Sequence, residues 1–598
     1  MDSEKFMQSC EAADPWLEAH KAIPFGYSIT NKGVERKSAK EDQEGTELIC
    51  GPLWVAARTR GTDGRNHGVN TKWVDRDGQV REKTIRQARL HEQSTSLAQE
   101  LADEGLYIQP GKETHLKNYL ALSKPDLVLQ SVSRLGWSKD SAGKPVFARP
   151  DATITDGTNK QEKIIFQPAS YCPTIGSMTS KGDLAGFRKG VVERTQGQPI
   201  ILFYMFASLA APLLKYAGVE TGGFHIYGLS TGGKTTALQV SASVWGNGSD
   251  PQLEPENAFC QTWRATSNGL EGIADAHNDC VLCLDEIGKY EGDNFGGLIY
   301  DILGGKGKTR MTAEASAKEP KHWRFLMLST GEMSVQDRIK QDGKPVKDGQ
   351  LVRLVDIPVA GSVIIGLDQR ESAELADTLK SICGASCYGV AGPEFIRGLL
   401  KKYEGNEIRL ANDLRNFAES AASEILSKLG TNLPQTARRV IKRFGLVLAA
   451  GYLAQEILDL PLTQAQIFDA VMHVVGLWTG DGRVMQTEGE RALEHLQSFL
   501  QTNQYRFIDA NPIGKNAELS KSDLGYHVKS GELESFGLTD EGFKEACGQF
   551  SETCMVNALK SKELLFLNDK QNKAQTTVSG AGRVRLYRVD KKILDGDI

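Results

Sequence analysis

"GLSTGGKTT", residues 228–236, fits two incompatible patterns. Its first five residues spell G-x-S-x-G, the strained turn that presents a nucleophilic serine, here Ser230, in α/β hydrolases. Its first eight spell G-x-x-x-x-G-K-T, a loop that wraps nucleotide phosphates. Both patterns sit between a strand and a helix, and "GFHIY" before the stretch and "TALQVSASVW" after it supply both. The hydrolase reading finds Asp285 and His322 downstream in the required order, but leaves Gly233, Lys234 and Thr235 without a use. The phosphate reading uses them all. Gly228, Gly232 and Gly233, with Ser230 and Thr231 among them, let backbone N–H groups converge on phosphates. Lys234 brings positive charge to the β and γ phosphates, the Thr235 hydroxyl ligates Mg²⁺, and Thr236 continues into a helix whose N-terminus faces the anion.

The second half of such a machine lies about fifty residues on, in "VLCLDEIG" (281–288). Four apolar residues make a buried strand that ends in Asp285-Glu286, the first to hold Mg²⁺ through water and the second to polarise the attacking water. A carboxylate at a strand tip can also cap a helix, but the phosphate loop and the acidic pair together are far more specific than either alone. Ser230 is then loop backbone and a nucleoside triphosphate the substrate. "RFLMLSTGE" (324–332) reads as a further strand ending in Ser329-Thr330. Thr330 is the candidate for sensing the γ-phosphate, with Ser329 left open and simple strand capping as the alternative.

"GGKGKTR" (304–310) resembles a second phosphate loop, yet Ile302 stands where the first glycine is needed. Its cations instead open a hairpin running through "KTRMTA", a turn near "EASAKEP", and "KHWRFLML". Lys306, Lys308, Lys318 and Lys321 are candidates for nucleic-acid contact; a solvated hairpin is the alternative. In "GQLVRLVDIP" (349–358), Arg353 stands among apolar residues, either as a structural salt bridge or as a finger reaching a neighbouring subunit's ATP. Arg439 and Arg443, one helical turn apart, fit a second sensor or a surface role equally.

Outward from this centre, 598 residues are too many for one core. Residues 1–21 form an acidic tail without the apolar core of a signal peptide, which points to the cytoplasm. Residues 22–150 are β-rich, with alternating strands at "LWVAARTR" and "TKWVDRDGQVREKTIR" and a turn at Asp77-Gly78. Asp75 and Asp77 are read as turn chemistry rather than as a metal site. Apolar strands alternate with helices over 151–365, the sign of an α/β core, and helical periodicity dominates 366–485. Residues 486–598 run from helices to a terminal ribbon, "GRVRLYRVDKKIL", and fit a winged-helix-like module.

Forty per cent hydrophobic and 25% charged residues are those of an ordinary globular protein, and a net charge of −5 confines any nucleic-acid surface to a local patch. The 15-residue apolar run from Ile200 to Leu214 is short for a membrane span and reads as a buried helix begun by Pro199. Cys280 and Cys283 lie in the apolar strand and read as small hydrophobes rather than zinc ligands.

With these residues assembled, the chain resembles a family of ATPases from mobile elements and prophages that share a long-uncharacterised domain. That family is related to minichromosome-maintenance-type replicative helicases. "CGPLWVAARTR", "RLGW", "GLSTGGKTTALQVSASVWG", "WRATSNGLEGIADAHND", "LDEIGKY", "LSTGE" and "GQLVRLVDIP" carry the resemblance, over about residues 22–480. It implies a multidomain α/β protein with an AAA+ type P-loop ATPase core and a helical lid region, forming a hexameric ring on DNA. By position Lys234, Thr235, Asp285 and Glu286 take the ATPase roles and Arg353 the finger, although the Ser-Arg-Phe-Asp of minichromosome-maintenance proteins reads Val-Arg-Leu-Val-Asp here. The expectation is an ATP-dependent DNA helicase or translocase of a mobile element or prophage, hydrolysing ATP between subunits around a single strand. The alternative is a DNA-associated ATPase switch that recruits a recombination or defence partner without unwinding.

Overall fold

The most apolar runs of the chain become strands buried along their whole length. "CVLCLD" forms Cys280–Asp285 and "FLMLSTG" forms Phe325–Gly331, with every residue of both buried. Continuous rather than alternating burial belongs to central strands of a parallel sheet covered on both faces. The sheet has five strands, here β1 (Gly222–Tyr227), β2 (Gln261–Thr262), β3 (Cys280–Asp285), β4 (Phe325–Gly331) and β5 (Leu354–Pro358), in the order β2-β3-β4-β1-β5. All its pairings are parallel, with Ser329 opposite Leu284 on one side and His225 on the other.

Helix α1 (Pro199–Ala210) opens on proline and is almost wholly buried, while α2 (Lys234–Ser243) follows β1. The two are tied by Ser208 Oγ donating to Ser241 O and by Trp245 Nε1 donating to Ser208 O. Among the described residues one helical run, Pro199–Ala217, is long and apolar enough to cross a membrane, and 94% of its apolar window is buried inside the fold. Cys280 and Cys283 are both fully buried, and burial pushes the Cys283 thiol up to about 12.

The computed structural model describes residues 22–37, 45–61, 64–157, 164–167, 173–229, 232–308, 310–311, 317–318, 320–430, 433–480, 486–531, 533–548, 550–567 and 572–595. The chain is a multidomain α/β protein that divides into two units, residues 1–338 with 353–425 and 442–474, and residues 339–352 with 426–441 and 475–598.

In the first unit the N-terminal strands form a mixed five-stranded sheet, Ile164–Phe166, Val128–Val132, Leu53–Gly61, Gly68–Val74 and Val80–Arg86. Ile164–Phe166 lies beyond the change in pattern near residue 150 and pairs parallel with Val128–Val132. Helices Ser96–Asp103 and Glu113–Leu122 contribute Leu97, Leu101 and Tyr119 to a core with Trp54 and Trp73. Asp75 Oδ1 accepts the backbone N–H groups of Asp77 and Gln79 while Arg81 pairs with Oδ2, so this carboxylate closes a turn.

The second unit ends in a six-stranded sheet. Helices Asp540–Cys547 and Glu552–Ser561 precede a ribbon of Ala574–Val578 and Gly582–Asp590. Three strands that the sequence reading left out, Phe507–Asp509, Gly525–Ser530 and Leu533–Leu538, extend the same sheet. Their polar, glycine-punctuated residues gain a buried face only when Phe507, Phe536 and Leu538 meet Phe543, Met555 and Tyr587.

Candidate functional site

The loop after β1 is shaped by close approach. Gly228 has φ +156°, and a Cβ there would lie 2.1 Å from Val359 O, so the backbones of the loop and of the segment after β5 touch. Gly233, at φ +79°, caps α2 in the left-handed region that only glycine adopts without strain. Ser230 and Thr231 lie outside the described residues, so the serine of the hydrolase pattern has no described position. The Lys234 side chain is 8% exposed, and its Nζ donates to Gly228 O at 2.9 Å and Leu229 O at 2.5 Å. Burial lowers its pKa, opposed by Glu286, Glu332 and Asp285.

Parallel register then brings three strand ends together. Because Ser329 is level with Leu284, Thr330 falls level with Asp285. Thr330 Oγ1 donates to Asp285 Oδ1 at 2.6 Å and accepts the Glu286 N–H at 3.2 Å. Thr235 Oγ1 also donates to Asp285 Oδ1, at 3.3 Å, and Gln252 Nε2 to Oδ2, at 3.1 Å. Asp285 is 2% exposed, so these donors replace the water its charge has lost. Glu286 takes the left-handed backbone (φ +60°), uncommon for a side-chain-bearing residue, and its Oε1 accepts the Gly288 N–H. Burial, Asp285 and Glu332 all raise its pKa. Lys234, Thr235, Asp285, Glu286 and Thr330 are thus gathered at one end of the sheet's central strands, together with Gln252, which the sequence reading missed for want of any local pattern in "SDPQLE".

Ser329 points away from Asp285, into a buried chain of hydrogen bonds. Trp263 Nε1 donates to Ser329 Oγ, and Ser329 Oγ meets His225 Nδ1, each at 2.9 Å. His225 Nε2 meets Met333 O at 2.9 Å, which requires the proton on Nε2 and leaves Nδ1 to accept from Ser329. Burial pushes the His225 pKa down to about 4, and that of His277, also fully buried, to about 4. The unfolded chain takes up a proton near pH 6.5, whereas folded His225 stays neutral down to about 4. Its contribution is therefore complete above pH 6.5 and lost as pH falls through that window, a loss of about 3 kcal/mol. Melting midpoints are expected to drop between pH 6.5 and 4, and less steeply in His225→Gln; equal slopes would refute this assignment.

His322 stands at the other end of the sheet. It precedes β4 and forms an antiparallel bridge with Lys306, whereas Asp285 is level with Thr330 at the far end of β4. The five steps of strand from Phe325 to Thr330 span about 16 Å. Asp285 and His322 therefore cannot orient one another, and the serine-hydrolase alternative is not assembled.

Lys306 and His322 open the hairpin, and Arg310–Met311 pairs antiparallel with Ala317–Lys318 farther out. The turn residues 312–316 and the Lys318 side chain lie outside the described positions. Lys306 is exposed, Lys308 pairs with Asp301 at 3.4 Å, and Lys321 with Asp275 at 2.8 Å. A cavity of about 590 Å³ opens at the hairpin root. Its walls carry Arg264, Lys289 and Lys308 against Glu291, Asp293 and Asp301, so neither sign of charge prevails.

Arg353 occupies this same end of the sheet. Its carbonyl accepts the Gly223 N–H at 2.7 Å, so it sits at the start of β1, six residues before Gly228. The intervening strand is about 20 Å long. The salt bridge that was the alternative for Arg353 has no carboxylate partner among the described residues; the guanidinium lies 4.0 Å from the Tyr300 ring centroid. Arg443 is 4% exposed and close to Gly222, where an added Cβ would lie 2.1 Å from its Nη2, and burial lowers its pKa to about 10. It lies away from its own loop, and its burial is contrary to the surface role; Arg439 is exposed.

A family model described as "Domain of unknown function (DUF927)" matches residues 27–322, a range that includes the 228–235 loop, Asp285 and Glu286 and stops short of Thr330 and Arg353. No curated protein matches the chain. A solved structure described as "SCCmec type IV Cch - active helicase" is similar over 96% of this chain and 99% of its own, with a TM-score of 0.67 at 19% identity. At that identity the likeness concerns the fold, which the two chains share over almost their whole lengths.

Proposed function

We propose that this protein is an ATP-dependent DNA helicase or translocase of a mobile element, built on an AAA+ type ATPase core and working as a ring. The observation that carries the reading is the Asp285 carboxylate. It receives the hydroxyl of Thr235 from the 228–235 loop and that of Thr330 from the neighbouring strand, with Lys234 and Glu286 beside it. The sheet order β2-β3-β4-β1-β5 accords with an AAA+ core, and the fold shared with a protein described as an active helicase supports the choice of activity.

In this reading the loop N–H groups and Lys234 hold the ATP phosphates. Thr235 and Asp285 fit a Mg²⁺ site, since their oxygens already converge to 3.3 Å and Asp285 is the only one of the two bearing charge. Mg²⁺ bound there would supply charge neutralisation for the transferred phosphoryl group. Glu286 draws a proton from the attacking water, and Thr330 fixes the Asp285 carboxylate and the Glu286 backbone. Arg353 lies too far along β1 to serve its own loop, so it acts on a neighbour's ATP, which makes a ring the working form. Hexameric closure is proposed from the resemblance. The ribbon-bearing C-terminal unit is proposed as a winged-helix-like module, and Lys306, Lys308, Lys318 and Lys321 as contacts to the threaded single strand.

The test is ATP turnover with and without single-stranded DNA, followed by strand displacement on a forked duplex. Stimulation by DNA together with displacement is the expected result. Stimulation without displacement would replace the helicase by a DNA-dependent switch acting on a partner protein. Turnover indifferent to DNA would overturn both.

A further inference from the structure

An arginine that acts on another subunit's phosphates must be kept extended and un-neutralised until that subunit arrives. A carboxylate partner would orient it but would cancel its charge and occupy its N–H donors. The face of an aromatic ring attracts the guanidinium without accepting those in-plane donors. Arg353 has the second arrangement. Its Cζ is 4.0 Å from the Tyr300 ring centroid, well inside the roughly 6 Å at which such pairs count. Its backbone is fixed by the bond from Gly223 N, and its buried Nη1 has no hydrogen-bond partner among the described residues. Arg443 lies close enough for the two positive charges to repel one another.

Tyr300 is 52% exposed and sits in the last turn of α3 (Phe295–Ile302). The two residues that follow it hold the hairpin: Asp301 pairs with Lys308, and Ile302 O accepts Trp323 Nε1 at 2.6 Å. One helical turn therefore carries both the ring under Arg353 and the root of the segment proposed to touch DNA.

We propose that Tyr300 is a positioning residue for Arg353, holding its guanidinium ready for the phosphates of a nucleotide bound by a second copy of this chain. The inference rests on the finger reading of Arg353 and deepens it. Tyr300 touches no substrate, and its effect passes through Arg353.

The experiment measures ATP turnover by the full chain with saturating single-stranded DNA, at protein concentrations well above assembly. Tyr300→Ala is expected to lower kcat about fivefold to tenfold, the scale of one cation–π contact, with KM for ATP within about twofold. Tyr300→Phe keeps the ring face and is expected to recover most of the loss. Mixing Tyr300→Ala with excess Lys234→Ala subunits is expected to raise turnover per functional site, because the Lys234→Ala neighbours carry intact Tyr300–Arg353 pairs. Unchanged kcat in Tyr300→Ala, a Phe variant as slow as the Ala variant, or no gain on mixing would each overturn the proposal. Arg353→Ala separates the two failures. If it leaves turnover intact, the finger reading itself falls; if it abolishes turnover while Tyr300→Ala does not lower it, only the role of Tyr300 falls.

Discussion

Lys234→Ala is expected to lower ATP turnover by about two to three orders of magnitude, the scale for removing one preorganised donor from developing charge. The amine is buried at the loop, bonded to the carbonyls of Gly228 and Leu229, and surrounded by the charges of Glu286, Glu332 and Asp285. Phosphate oxygens would draw the ammonium off those carbonyls, and alanine offers them nothing in exchange. The fold should survive. Lys234 is the first residue of α2, alanine has high helix propensity, and Gly233 continues to provide the left-handed turn. Phosphate release and a thermal melt, read side by side, check this. An unchanged melt with lost turnover is the expected pair of results. Persistent turnover would mean that the loop does not hold the ATP phosphates.

Glu286→Gln is expected to retain ATP and fail to hydrolyse it, with turnover down by about 10²–10⁴, the range for removing a general base. Glutamine keeps the length of the side chain and an oxygen to accept the Gly288 N–H, so the left-handed turn at 286 should persist. The variant loses only the ability to take a proton. The same assignment fixes the pH dependence. Burial and the charges of Asp285 and Glu332 raise the Glu286 pKa, and the base works only when ionised. Wild-type turnover should thus fall on acidification at a higher pH than an unperturbed glutamate would give, and recover as pH rises. Nucleotide affinity by fluorescence and turnover against pH test both halves. A variant that hydrolyses ATP at the wild-type rate would assign the water-polarising role elsewhere.

Much of the candidate site was legible because its parts are local. Glycines at fixed offsets, a lysine and a threonine at the start of a helix, and two carboxylates after an apolar run each declare themselves within ten residues. The same holds for β3 and β4, whose unbroken apolar sequences mark strands covered on both faces. Gln252 carried no such signal, since a single amide in a polar loop acquires a role only by lying against Asp285. The pair Ser329-Thr330 was equally opaque. Both are polar residues at a strand end, and strand alternation sends their side chains to opposite faces; which face holds Asp285 is a property of the neighbouring strand.

By itself, then, the sequence determined that a glycine-rich loop joins β1 to α2 and that an acidic pair ends a buried strand. Spacing along one short stretch of chain dictates both. Only the tertiary structure decided which distant residues share an end of the sheet. Parallel register put Thr330 level with Asp285, kept His322 about 16 Å of strand away from it, and set Arg353 beside Tyr300 at the opposite end from the loop. These pairings join residues 37 to 53 positions apart. They follow from strand order and direction, which no local run of amino acids encodes.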